Sequence, residues 1–151
     1  MNRKQLLVAL MTLLSLITVP LAVQATAITT CNFDKDVYHQ SETGYLTATV
    51  YNDKEDTIRV TELSATIDYY YTDENIYIQT FYTNATLPSE IQPGNSNTFY
   101  ISFSLPTNIA SGYTHVNVKA ITELWNAPSA RWYASEHPTY QPLLYIESPY
   151  K

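Results

Sequence analysis

The sequence predicts an all-β protein, an antiparallel two-sheet sandwich of about seven strands preceded by an N-terminal signal helix. Three observations carry this expectation. Past residue 27 no stretch repeats apolar residues at helical spacing, whereas period-two alternation recurs along the chain. Turn signals punctuate the alternating runs at spacings of about 8–12 residues, as in sandwiches. Threonine and the 14 tyrosines, both good strand formers, fill polar positions that charged residues (15%) leave open.

Each element has its own reason. Thr30–Phe33 reads as a short edge strand. In Tyr45–Asn52, Leu46, Ala48 and Val50 share one face and Tyr45, Thr47, Thr49 and Tyr51 the other. The charged turn Asp53-Lys54-Glu55-Asp56 leads into a long strand, Ile58–Tyr71. Its apolar phase starts at Ile58 and Val60 and resumes at Leu63, Ala65, Ile67 and Tyr69, a slip of one residue. A slip would turn half the strand toward water unless a bulge absorbs it, so a bulge is expected at Thr61-Glu62. Ile76–Tyr82, Leu87–Ile91, Thr98–Leu105 and His115–Trp125 read as further strands. Pro93-Gly94 suits the two central positions of a turn. After residue 127 the chain holds four of its eight prolines (Pro128, Pro138, Pro142, Pro149), which cannot donate to a ladder. Residues 128–151 are therefore expected outside the regular sheets, with only the apolar run Leu143–Ile146 packing on the sandwich or pairing briefly at an edge.

The first 27 residues have the form of an export signal. Arg3 and Lys4 precede an apolar run from Leu6 to Val19, Pro20 closes it, and Ala25-Thr26-Ala27 fits a small-x-small cleavage pattern. The other reading is an uncleaved membrane anchor; Leu6–Val23 falls just short of the ~20 residues that span a bilayer and is interrupted by Thr12, Ser15, Thr18 and Pro20. Either way the positive end stays inside and the remainder is exported. Three segments follow: 1–27 signal or anchor, 28–127 sandwich, 128–151 Pro-rich tail. Removing Arg3 and Lys4 takes the formal charge from -6 to -8, and this acidic balance argues against nucleic acid, which calls for a basic stripe. The single cysteine, Cys31, excludes a disulfide framework, and Ile28-Thr29-Thr30 before it lacks the small residue that lipoprotein processing requires.

The run Tyr38–Ala120 resembles immunoglobulin-like sandwich modules of microbial, including archaeal, cell-surface proteins, in particular the cell-adhesion-related CARDB-like type. The features that carry it are "TATVYND" opening into a charged turn, "VTELSATIDY", "IQPGNSNTFYISFSLP" and "SGYTHVNVKAI". The resemblance implies adhesive or structural work outside the cell and brings no catalytic residues with it.

Chemistry-bearing residues are few. His39, His115 and His137 lie in three separate segments, no Gly-x-Ser-x-Gly or His-Glu-x-x-His occurs, and the expectation is that the chain is not an enzyme. No cofactor is expected, calcium excepted: by strand parity Asp34, Asp36 and Glu42 fall at the same end of the sandwich as Asp73 and Glu74, and calcium takes six to eight hard oxygen ligands. Acidic turns of an exported surface are otherwise simply solvated. Tyr69, Tyr70, Tyr71, Tyr77, Tyr82, Trp125, Trp132 and Tyr133 form an aromatic set, of which Tyr70 and Trp132 are the candidates for stacking on a glycan; cross-strand ring pairing is the plainer reading. Asn84-Ala85-Thr86 is the one glycosylation sequon. The expected function is an exported cell-surface module for adhesion or envelope assembly, contacting other surface proteins or copies of itself. Two other readings stay open: a filament subunit donating Thr26–Phe33 to a neighbour's sheet edge, and a carbohydrate-binding module. The membrane enters only through an uncleaved N-terminal segment.

Overall fold

The computed structural model describes residues 25–70 and 76–149; the expected signal helix lies outside them. Among the described residues the secondary structure is entirely β, in two sheets that share one core. The first sheet holds β1 (Thr26–Phe33), β3 (Thr43–Asn52) and β7 (Ser96–Ser104) in the order β1-β3-β7, all antiparallel. The second follows the path β2-β11-β8-β4-β5, from β2 (Tyr38–His39), β11 (Leu143–Glu147), β8 (Gly112–Asn126), β4 (Ile58–Tyr70) and β5 (Ile76–Tyr82). Three short strands complete it: β6 (Ser89–Ile91) on β4, and β9 (Arg131–Ala134) and β10 (Thr139–Tyr140) on β8.

The alternating residues face inward as their period requires. Leu46, Ala48 and Val50 of β3 and Phe99, Ile101 and Phe103 of β7 meet Ile58 to Tyr69 of β4 and Val116, Val118 and Ala120 of β8. The expected bulge is present: Val60 pairs Thr122 while Glu62 pairs Ile121, so Thr61 is the extra residue, and its hydroxyl donates to the Ile121 carbonyl at 3.2 Å. Both halves of β4 therefore keep their apolar phase on the core. Pro93-Gly94 forms its turn, with Gly94 at φ 71° and the Asn95 amide closing onto the Gln92 carbonyl at 3.1 Å. Gly44 is needed for a different reason. A Cβ there would run into the Tyr38 ring and sit 2.9 Å from Phe103 Cζ, so only glycine lets β3 pass these two core aromatics.

Two sequence expectations are corrected. The sandwich is not purely antiparallel, because β11 pairs β2 in parallel through Ile146–Tyr38 and Glu147–His39. Nor does the segment after residue 127 lie outside the sheets. The chain turns at Asn126–Ala130 and runs back along the whole of β8: β9 beside Glu123–Asn126, β10 beside Val118-Lys119, β11 beside Gly112–His115. Prolines interrupt this ribbon without expelling it, because they offer β8 their carbonyls. Pro138 accepts from the Ala120 amide at 3.0 Å and Pro142 from the Val116 amide at 3.2 Å. Each proline forgoes the one bond its nitrogen would have donated, but its carbonyl bond and the paired residues on either side keep the ribbon on β8. Leu144 and Ile146 thereby enter the core.

Candidate functional site

Sequence and register place three surfaces where a partner could act. The first is the corner made by the β8–β9 hairpin. Trp125 and Trp132 are direct cross-strand partners, and their rings lie 5.2 Å apart at 57°. Arg59, from β4, pairs with Glu123 at 2.5 Å and lays its guanidinium 4.5 Å from the Trp132 ring centre, a cation–π contact of about 0.5–1 kcal/mol in a partly exposed setting. Thr57 and Glu90 complete an open cleft of about 330 Å³ with the two tryptophans. An aromatic face beside a carboxylate and a hydroxyl suits a ligand with one apolar face and hydrogen-bonding edges. The sequence named Trp132 but not this arrangement. Its signal was the match of Leu124-Trp125-Asn126 to Arg131-Trp132-Tyr133 across Ala127-Pro128-Ser129-Ala130, a hairpin pattern that the proline concealed.

The second surface is β5. It pairs β4 from Ser64–Tyr82 to Tyr70–Ile76, and among the described residues no strand covers its other edge. Ile76, Ile78 and Tyr82 project from one face together with Tyr70 of β4, and Ile78 is 69% exposed. Tyr77, Gln79 and Phe81 share the opposite face, and of these only Phe81 is half-buried, its ring 6.2 Å from Phe103. Ile76–Tyr82 holds no charge and no proline, the residues that usually blunt a free sheet edge.

The third surface is a cleft of about 280 Å³ between β1 and β11, lined by Cys31, Phe33, Lys35, Asp36 and Pro142–Tyr145. Burial pushes the Cys31 thiol up to about 12, which keeps it protonated and a poor nucleophile at neutral pH.

Two of the calcium candidates, Asp34 and Glu42, are engaged by other groups. Asp34 Oδ1 accepts from the Tyr38 hydroxyl at 2.5 Å and the Tyr45 amide at 2.7 Å, and Glu42 accepts from Lys35 and from the His39 amide at 2.7 Å. Burial raises the Asp34 carboxyl, but these donors and the Lys35 ammonium outweigh it and hold the group below the usual carboxylate range. Asp36 is exposed; Asp73 and Glu74 lie outside the described residues. Among the described residues no three His, Cys, Asp or Glu side chains are grouped to hold a metal ion. Tyr70 and Trp132 do not share a platform. Tyr70 ends β4 beside β5, whereas Trp132 sits on β9, whose neighbour Tyr133 pairs Leu124 opposite Ile58 at the start of β4. The thirteen residues of β4 put about 40 Å between these ends. Asn84 is exposed in the loop after β5, its amide 3.3 Å from the Ser102 hydroxyl.

No protein-family model matches the chain, and no curated protein matches it in sequence. Among solved structures it is similar to the sporulation control protein Spo0M from Bacillus subtilis, with TM-score 0.54 and 19% identity over 83% of this chain and 50% of that one. It is also similar to the Pseudomonas fluorescens alkylpurine DNA glycosylase AlkC bound to DNA containing an abasic site analog, with TM-score 0.56 and 11% identity over 82% of this chain and 31% of that one. AvmM, which catalyses macrocyclization in alchivemycin A biosynthesis, aligns with TM-score 0.48 and 11% identity over 81% of this chain and 90% of that one. The chain thus spans half of Spo0M and under a third of the glycosylase, and at these identities the likeness is one of fold. It corrects one expectation. The absence of enzymatic activity does not follow from a motif-poor β-sandwich, since a segment of this fold is built into a DNA glycosylase.

Proposed function

We propose that the chain is an exported module of the cell surface, an immunoglobulin-like sandwich of the CARDB-like kind, working in adhesion or envelope assembly through contacts with other surface proteins. The observation that carries this reading is β5: a seven-residue, uncharged strand with a free edge and exposed Ile76, Ile78 and Tyr82. Such an edge can take an added strand through main-chain hydrogen bonds while its exposed side chains select the partner. The leader-like segment supports export, and β1, paired with its own β3 from Thr26 to Phe33 across one irregularity at Thr29, favours a self-contained domain over strand donation. Protease applied to intact cells is expected to degrade the protein, and I78K with Y82K to lower its retention at the surface while its melting temperature stays within a few degrees. A protein shielded from external protease, or retention unchanged in the double variant, overturns the reading.

The Trp125–Trp132 cleft favours a second reading, binding of a glycan. Trp125→Ala is then expected to remove retardation in polysaccharide gels with little loss of stability; retardation that survives the substitution removes this reading.

A further inference from the structure

Two cleavage registers fit the leader. Ala25-Thr26-Ala27 would release a chain beginning at Ile28, and Val23-Gln24-Ala25 has the same ending, an alanine preceded at two residues' distance by a short uncharged side chain. Composition does not choose between them. The fold does. Thr26 is the first residue of β1, buried, and paired with Asn52; Ala27 pairs with Tyr51. The Thr26 nitrogen donates to Glu136 Oε2 at 2.6 Å, and the other oxygen of that carboxylate takes the Lys54 ammonium at 2.6 Å. A cut after Ala27 would discard two ladder positions, a buried residue and one of the two donors to the Glu136 carboxylate. A cut after Ala25 keeps all of them.

We propose that the Ala25–Thr26 bond is the processing site, and that the α-ammonium created there locks β1 to Glu136. This rests on the reading of residues 1–27 as an export signal. The reaction is hydrolysis by a leader-cleaving endopeptidase. Water supplies a hydroxyl to the Ala25 carbonyl carbon, the C–N bond breaks, and the released Thr26 amine takes up protons to become an ammonium. Where the uncut chain offers Glu136 one amide N–H, the processed chain offers a positive charge with three donors. The carboxylate makes both bonds charge-assisted; what the cut adds is the attraction between opposite charges at close range. The partners brought together lie 110 positions apart in sequence, so the cut would fasten the first strand to the ribbon that closes the second sheet.

The test is to express the full chain with its own leader and determine the N-terminus of the exported protein by mass spectrometry. Thr26 is expected as the first residue in the wild type and in A27L, which spoils only the later register. V23K, which spoils only the earlier one, is expected to lower the Thr26 product at least tenfold. An Ile28 start that V23K leaves unchanged overturns the proposal and keeps the export reading. Met1 retained on exported protein overturns processing altogether, and Met1 retained inside the cell overturns the export reading as well. The ammonium–carboxylate pair is read separately: acylation of the α-amine at pH 7 is expected to be about tenfold slower in the native protein than in E136Q, and equal rates overturn the pair.

Discussion

The strand β5 and the ribbon formed by β9, β10 and β11 are both rich in tyrosine, and each flanks a long strand of the same sheet. Their fates are opposite. β5 has unbroken strand character and ends up with six of its seven residues exposed. The ribbon is cut by Pro138 and Pro142, yet it delivers Leu144 and Ile146 to the core and covers the length of β8. The difference lies in what stands opposite. The three-strand sheet reaches only as far as Phe81 on the β5 side, through Phe103, while Tyr38 and Phe33 extend the packed layer toward β11. Strand propensity decides that a segment pairs; the facing layer decides whether it is buried.

The comparison can be broken most severely by truncation after Ser135. Losing Leu144 and Ile146 costs about 2–5 kcal/mol each by analogy with large-to-small core substitutions, against a total of about 5–15 kcal/mol. The truncated chain is expected not to fold, which loss of dispersed amide signals in a proton NMR spectrum would reveal; a folded product would return the ribbon to the status of a tail. Leu144→Ala alone should cost about 2–5 kcal/mol in urea unfolding, and a cost under about 0.5 kcal/mol would mean that β11 is ornamental. Gly44→Ala, which drives a methyl into Tyr38 and Phe103 where they back the ribbon, is expected to destabilise by about 1–3 kcal/mol.

Acid should loosen the ribbon's side of the molecule before the β5 side. The Asp34 carboxyl that holds Tyr38, partner strand of β11, is depressed in the folded state. Its contribution is fully present above the unfolded value of about 3.9 and is lost as pH falls through the lower folded value. Thermal melts from pH 6 to pH 2 should therefore show a drop at the acid end that D34N flattens; parallel curves would deny Asp34 this role. The smallest effect on stability belongs to Ile78→Lys, within about 0.5 kcal/mol as for exposed sites away from packing. A loss above about 1.5 kcal/mol would show that β5 is packed after all.

Period two was enough to find the strands of the central sheets. The inward residues of β3, β4, β7 and β8 could be read from alternation because each strand has one wet face, and the broken phase at Val60 and Leu63 announced the bulge at Thr61. Turn chemistry located Pro93-Gly94. What a local pattern could not carry was which groups meet across long separations. Proline was read as ending pairing, since the sequence does not say which neighbour its carbonyl can serve; only the position of β8, with its Ala120 and Val116 amides turned toward Pro138 and Pro142, makes those residues acceptable. The Trp125–Trp132 corner needed Arg59 from a strand more than sixty residues earlier. The sequence by itself determined an all-β chain, its inward faces and its punctuation, because these follow from the two-residue repeat of a strand. Tertiary structure alone decided that the proline-rich ribbon sends Leu144 and Ile146 into the core while β5 stays at the surface, because burial depends on the extent of the layer opposite, and that extent is set by residues far away in the chain.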